Sequence, residues 1–134
     1  MIALKINVID QTVTPIEYNG YTDICPNLST PHKAVSLFTT VYVSTEGHYT
    51  RNSDCIYVDD EGLLVDTNYG FKYKGYNGVL MGNGLVLGTD ENGDSTAPDI
   101  DIYTLKANIT FLGLQKIHEG YRGFTVMPLE GGLA

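Results

Sequence analysis

Between Cys55 and Gly88 the chain sets short apolar runs, Ile56 to Val58, Leu63 to Val65 and Leu85 to Leu87, between acidic and Gly/Asn turns. Runs this short, bounded by turn residues, predict strands rather than helices. At the N-terminus Ile2, Leu4, Ile6 and Val8 alternate with Ala3, Lys5 and Asn7, the period of a strand with one buried face. Asp10-Gln11 interrupts the pattern and Thr12 to Tyr18 resumes it, which predicts a β-hairpin. Pro15 makes its second strand an edge or bulged strand, because proline has no N–H to give to a ladder.

From Tyr21 to Ser36 the periodicity fades. Thr30-Pro31 resembles an N-cap and first helical position, predicting a short helix over His32 to Leu37. Phe38 to Ser44 is β-branched and aromatic and predicts a strand, followed by a polar hairpin loop from Thr45 to Asp54. In Phe71-Lys72-Tyr73-Lys74, alternation places the rings on one face and the lysines on the other. The glycines at 75, 78, 82, 84 and 88 argue for tight turns and close backbone approach. After the polar loop Thr89 to Pro98, Asp99 or Asp101 is placed to cap a helix in which Ile102, Leu105, Ile109 and Leu112 share a face. A strand at Phe124 to Met127 and a frayed Gly131-Gly132 tail close the chain.

These elements give an α+β expectation: a mainly antiparallel, twisted sheet of five to seven strands with one packed helix near 101–112. With 134 residues and 43% hydrophobic content, the chain is sized for a single domain, 1–134, with one core.

Sixteen acidic residues against eight Lys and Arg give a formal charge of −8, which opposes non-specific binding to nucleic acid or to an anionic membrane. No apolar run reaches membrane-spanning length, and the alternating N-terminus is no signal sequence. Cys25 and Cys55 are too few for a disulfide framework and lack metal-ligand spacing. A cytoplasmic protein with two free thiols is the expectation.

The VDDEGLL segment, the GNGLVLGTDENGD segment and the run from Asp101 to Leu112 together resemble a small domain-of-unknown-function family of bacteriophages, plasmids and bacteria. Its pattern is an N-terminal hairpin, a DDEGL turn, a GxGLVxG strand, an acidic loop and a closing helix. The similarity covers Cys55 to Leu112 and, more loosely, the hairpin; the Tyr21 to Asp54 segment is longer than the pattern, and the segment after Gly113 is extra. The resemblance brings no activity, but implies a phage or mobile-element accessory protein in a host cell.

Candidate chemistry is sparse. In Asp59-Asp60-Glu61, alternation sends the first and third carboxylates to one side and the second to the other, a solvated turn with Gly62 in the left-handed conformation. Asp90, Asn92 and Asp94 have calcium-loop spacing, but Ser95 stands where that loop needs glycine. Gly82-Asn83-Gly84 through Gly88 brackets a strand, where a dinucleotide fingerprint would lie between a strand and a helix. His32, His48 and His118 form no ligand motif, and no serine or cysteine has a nucleophile context. No metal, cofactor or catalytic residue is assigned.

Ten tyrosines without a tryptophan are unusual, and the span Thr67 to Thr89 contains no acid. There Tyr69, Phe71, Lys72, Tyr73, Lys74, Tyr76 and Asn83 form a candidate ligand-binding set, with aromatic faces for a base and lysines for phosphate. The competing reading puts the alternate aromatics in the core and the lysines in water. The functional expectation is a non-enzymatic protein that counters host defence by sequestering a small ligand, a nucleotide signal, cyclic or not. The alternative is an acidic inhibitor whose carboxylates at Asp54 to Asp66 and Asp90 to Asp101 imitate DNA phosphates before a host nuclease or restriction enzyme. Exposed tyrosines and the Thr12 to Tyr18 edge make a homo-oligomer an option.

Overall fold

The computed structural model describes residues 1–43, 54–120 and 123–128. Its described elements are mostly antiparallel strands with short helices, an α+β architecture. They form two sheets where one was expected. The first follows the order β2(Thr12–Glu17), β1(Ile2–Asn7), β7(Gly84–Thr89), β4(Cys55–Asp59), β3(Phe38–Tyr42), with β8(Ser95–Thr96) also paired to β7. The second follows β10(Gly123–Pro128), β9(Ile109–Gly120), β5(Thr67–Tyr73), β6(Leu80–Met81).

The N-terminal hairpin forms as its alternation predicts, and β2, with Pro15 opposite Leu4, is an edge. At the centre, β7 is buried along almost its whole length because both faces are covered. Val86 joins one core with Ile6, Ile56, Phe71, Leu80 and Leu105, which brings in the second sheet and helix α2(Ile102–Ala107). Leu85 and Leu87 join the other with Ala3, Tyr18, Ile24 and Leu28, so helix α1(Ile24–Leu28) covers the opposite face. An unbroken apolar run such as Leu85-Val86-Leu87 is what a doubly covered strand requires. Gly84 permits the crowding, since a Cβ there would lie 3.0 Å from Ile56 Cγ2 and 3.1 Å from Ile6 Cδ1.

Four expectations are corrected, the single sheet being the first. Thr30 to Lys33 is a tight turn closed by backbone bonds in both directions, Thr30 N–H to Lys33 O at 3.0 Å and Lys33 N–H to Thr30 O at 3.1 Å, and no helix spans 32–37. The helix of this region is α1, earlier in the chain, with Ile24 and Leu28 buried at helical spacing. Residues 63–65 are turn and bend, not strand.

The closing helix ends at Ala107, and Ile109 to Leu112 belong to β9. Ile109 and Phe111 face the core from a strand paired with Tyr73 and Phe71 of β5. Their β-branched and aromatic side chains suit that ladder, and the pairing overrides the helical spacing. Opposite Gly70/Phe71 the β5–β9 register shifts at Gly113, whose φ of 73° fits a bulge. The hairpin loop expected over 45–54 lies, apart from Asp54, outside the described residues, as does the tail at 131–132.

Candidate functional site

The acidic turn after β4 borders an open recess of about 400 Å³. Thr39 of β3, Val58 of β4, Val79 and Leu80 and Met81 of β6 make a largely apolar floor, and Asp59, Asp60, Glu61 and Tyr76 supply its polar groups. The volume falls within the range of small-ligand pockets.

The three carboxylates, expected on different sides of the turn, form no metal-holding cluster among the described residues. Strand alternation ends at Asp59; the chain then turns, with Asp60 N–H bonded to Leu37 O at 3.0 Å and Leu64 N–H to Glu61 O at 3.0 Å, and all three acids border the recess. Gly62 is also not a left-handed turn residue, since it is not among the positive-φ positions. Its role is close packing: a Cβ there would sit 3.2 Å from Met81 Cβ.

The carboxylates differ in availability. Asp59 is buried; its Oδ1 accepts the Glu61 N–H at 2.9 Å and its Oδ2 lies 2.8 Å from Lys33 Nζ. Its charge is therefore met from within. Asp60 is exposed and Glu61 half-buried, and among the described residues neither carboxylate has an ion-pair partner. Among the described residues, no Lys, Arg or His lines the recess.

Of the candidate set read from the sequence, only Tyr76 lines this recess, 43% exposed. Phe71 and Tyr73 are core residues, at 0% and 3% exposure, with no ring face left for a ligand. Burial raises the Tyr73 hydroxyl's pKa, with the side chain of Asn108 acting in the opposite direction. Lys72 is exposed, on the other side of the strand from those rings, and Lys74 is exposed in the turn that follows β5. Tyr69 is half-buried, with its ring edge-to-face with His32 at 5.5 Å.

Asn83 is structural. Its Oδ1 accepts the Val8 N–H at 3.0 Å, and its Nδ2 donates to Asn27 O and Ser29 O, each at 3.2 Å. The alternation reading of Phe71 to Lys74 thus describes these positions, and the acid-free span supplies core, surface and turn without converging on one site.

The other acidic segment is a hairpin loop. Asp90 Oδ1 accepts the N–H groups of Asn92 and Asp94, both at 2.9 Å, between strands paired Gly88 to Thr96 and Thr89 to Ser95. Asp54 is buried, with its carboxylate held by the N–H groups of Asp99 at 3.0 Å and Ile100 at 2.7 Å. Burial is also the main cause of the raised pKa of the Cys55 thiol, which Thr89 opposes and Asp54 reinforces. That keeps the thiol protonated and unreactive.

Among the described residues no cluster of three or more His, Cys, Asp or Glu is arranged to hold a metal, and no helix is long and apolar enough to cross a membrane. Sequence reasoning missed Lys33, Thr39 and the β6 floor, since nothing local marks residues that meet only through sheet packing. Comparison with protein-family models, curated proteins and solved structures gave no match to this chain.

Proposed function

We propose that this chain is a binding protein without catalysis of its own, and that its recess takes the cationic end of a small amphipathic molecule. One observation carries the reading: Asp60, Glu61 and Tyr76 line the recess together with Val58, Val79, Leu80 and Met81, and among the described residues no basic side chain lines it. Carboxylates attract the cation, the tyrosine face adds cation–π attraction, and the floor accepts an alkyl or aryl stem.

The same lining disfavours a nucleotide, whose phosphate would face acids with no lysine to neutralise it. The proposed ligand class therefore shifts from a nucleotide to a cation, while sequestration is kept. The accessory role in a phage or mobile element, implied by resemblance, is kept as the setting of the proposal. The DNA-mimic reading is weakened because Asp54 and Asp59, both in its acidic cluster, are occupied internally.

Thermal shift with hexylguanidinium, hexyl phosphate and a panel of cyclic nucleotides tests the reading. Hexylguanidinium should raise Tm with concentration, and Asp60→Asn/Glu61→Gln should remove the rise. A rise with a nucleotide and none with the guanidinium overturns the proposal.

A further inference from the structure

We propose that the cation reaching the recess is carried by an extended peptide, which adds as a strand to the outer edge of β3. The inference rests on the cation-binding reading of the recess and names the bearer of the charge.

β3 ends its sheet, and beyond it lies no other described strand. The ladder to β4 fixes which backbone groups point outward. Leu37 O accepts from Asp60 N–H at 3.0 Å and Val43 N–H donates to Asp54 O at 3.1 Å, so residues 37 and 43 bond inward. Inward bonding alternates along an antiparallel strand, and the unshifted register Phe38 to Asp59 through Tyr42 to Cys55 keeps that parity. Thr39 and Val41 therefore also bond to β4. Phe38 and Thr40 turn their N–H and C=O groups to the outer edge.

Among the described residues, Phe38 to Val41 of this edge carry no proline, charge or bulge. Natural edges are blunted by proline, charge, bulges or extreme shortness. β2 carries Pro15, β10 ends in Pro128, and β6 and β8 have two residues each. β3 is longer than β6 and β8, and its outward-turned positions Phe38 and Thr40 are neither proline nor charged.

The edge and the recess also adjoin. Thr39 belongs to both. A residue opposite Thr39 on an added antiparallel strand would direct its side chain to the same face as Thr39, which is the recess face. An Arg or Lys there has the length to bring its charge to Asp60 and Glu61 while its stem crosses apolar floor. Main-chain bonds would supply affinity and the one pocket side-chain selectivity, the division of labour of strand-addition recognition. An extended peptide with one basic side chain is the occupant this charge pattern fits.

The test is fluorescence anisotropy on the whole chain with a labelled, end-capped peptide of alternating Thr and Ser around a central Arg. Three further peptides replace the Arg by citrulline or N-methylate the backbone amides on alternate residues, one peptide for each phase. The parent peptide should bind, and citrulline, backbone methylation in one phase and Asp60→Asn/Glu61→Gln should each weaken it by about tenfold or more.

Thr40→Pro should abolish peptide binding while leaving the hexylguanidinium shift intact, since it blocks the edge and not the recess. Methylated peptides that bind as well as the parent in both phases overturn strand addition whether or not Thr40→Pro folds. If hexylguanidinium still raises Tm in that case, the recess reading survives alone. If neither the guanidinium nor the parent peptide binds, both proposals fall.

Discussion

Lys33 Nζ lies 2.8 Å from Asp59 Oδ2, and the two side chains are only 14% and 1% exposed. The pair ties the 30–33 turn to the end of β4 and neutralises the inner carboxylate of the recess. Removing one partner of such a pair strands a buried charge. Lys33→Met should cost about 3 kcal/mol, the low end for a buried pair because the lysine keeps some contact with water. Lys33→Met/Asp59→Asn should recover most of the loss, since Asn retains an acceptor for the Glu61 N–H. Urea denaturation of wild type, single and double variants measures the coupling; a double variant no better than Lys33→Met would show that the pair does not govern this stability.

Asn83 joins three backbone groups from two separate parts of the chain, Val8 on one side and Asn27 and Ser29 at the end of α1 on the other. Asn83→Leu leaves the Val8 N–H and two carbonyls without that partner and should cost about 1–3 kcal/mol. Tyr73→Phe offers the contrast. The Tyr73 hydroxyl is buried without a well-formed hydrogen bond, Asn108 being its polar neighbour. Its removal should leave the denaturation midpoint nearly unchanged, and a large loss would mean that the Asn108 contact matters.

Gly88 stands where β7, β8 and Asp54 meet. A Cβ there would fall 2.6 Å from Thr96 Oγ1, 2.8 Å from Ala97 O and 3.1 Å from Asp54 Oδ1. Gly88→Ala should destabilise by about 1–3 kcal/mol through overpacking. Adding Thr96→Ala should not rescue it, because the Ala97 carbonyl stays. Thermal melts of the single and double variants check this, and full rescue would place the whole clash on the threonine.

Asp101 caps α2, its Oδ1 accepting from Tyr103 N–H and Thr104 N–H, both at 2.9 Å, and its Oδ2 from Thr104 Oγ1 at 2.8 Å. The bonds from the Thr104 backbone and side chain, then that from Tyr103, lower its pKa below the ordinary 3.8. A carboxyl with a depressed folded-state pKa contributes its full stabilisation above the unfolded value and loses it as pH falls through the folded value. Asp101→Ala should thus lower Tm at neutral pH, and the gap from wild type should narrow below pH 3.8. Melting curves across the acid range test it; a gap constant with pH would assign the effect to something other than the charged cap.

Much of the architecture was legible because the relevant signals are local. The Ile2 to Val8 alternation, Pro15, the FTTVY run and the continuous Leu85 to Leu87 run each specify a strand and something of its surroundings. The alternation of Phe71 and Tyr73 with Lys72 and Lys74 likewise specified which side chains face inward. The candidate ligand set failed to converge because the buried rings of β5 and the exposed Lys72 between them point opposite ways, while Lys74 lies in the turn beyond the strand.

Where local signals conflicted, long-range pairing chose. Ile102, Leu105, Ile109 and Leu112 satisfy helical spacing, yet Ile109 onward pairs with β5 because its β-branched and aromatic side chains fit that ladder. Thr30-Pro31 fits a helix start as well as a turn, and Thr30 Oγ1 donating to Asn68 Oδ1 at 2.9 Å helps to fix the turn.

The sequence by itself determined an acidic, mainly antiparallel chain, because charge and two-residue periodicity are properties of the chain alone. Only the tertiary structure decided that β3 and β6 would converge beside the acidic turn after β4, that Lys33 would claim Asp59, and that Asp60, Glu61 and Tyr76 would share one recess. Those meetings depend on the packing of two sheets, which brings together residues with no common local pattern.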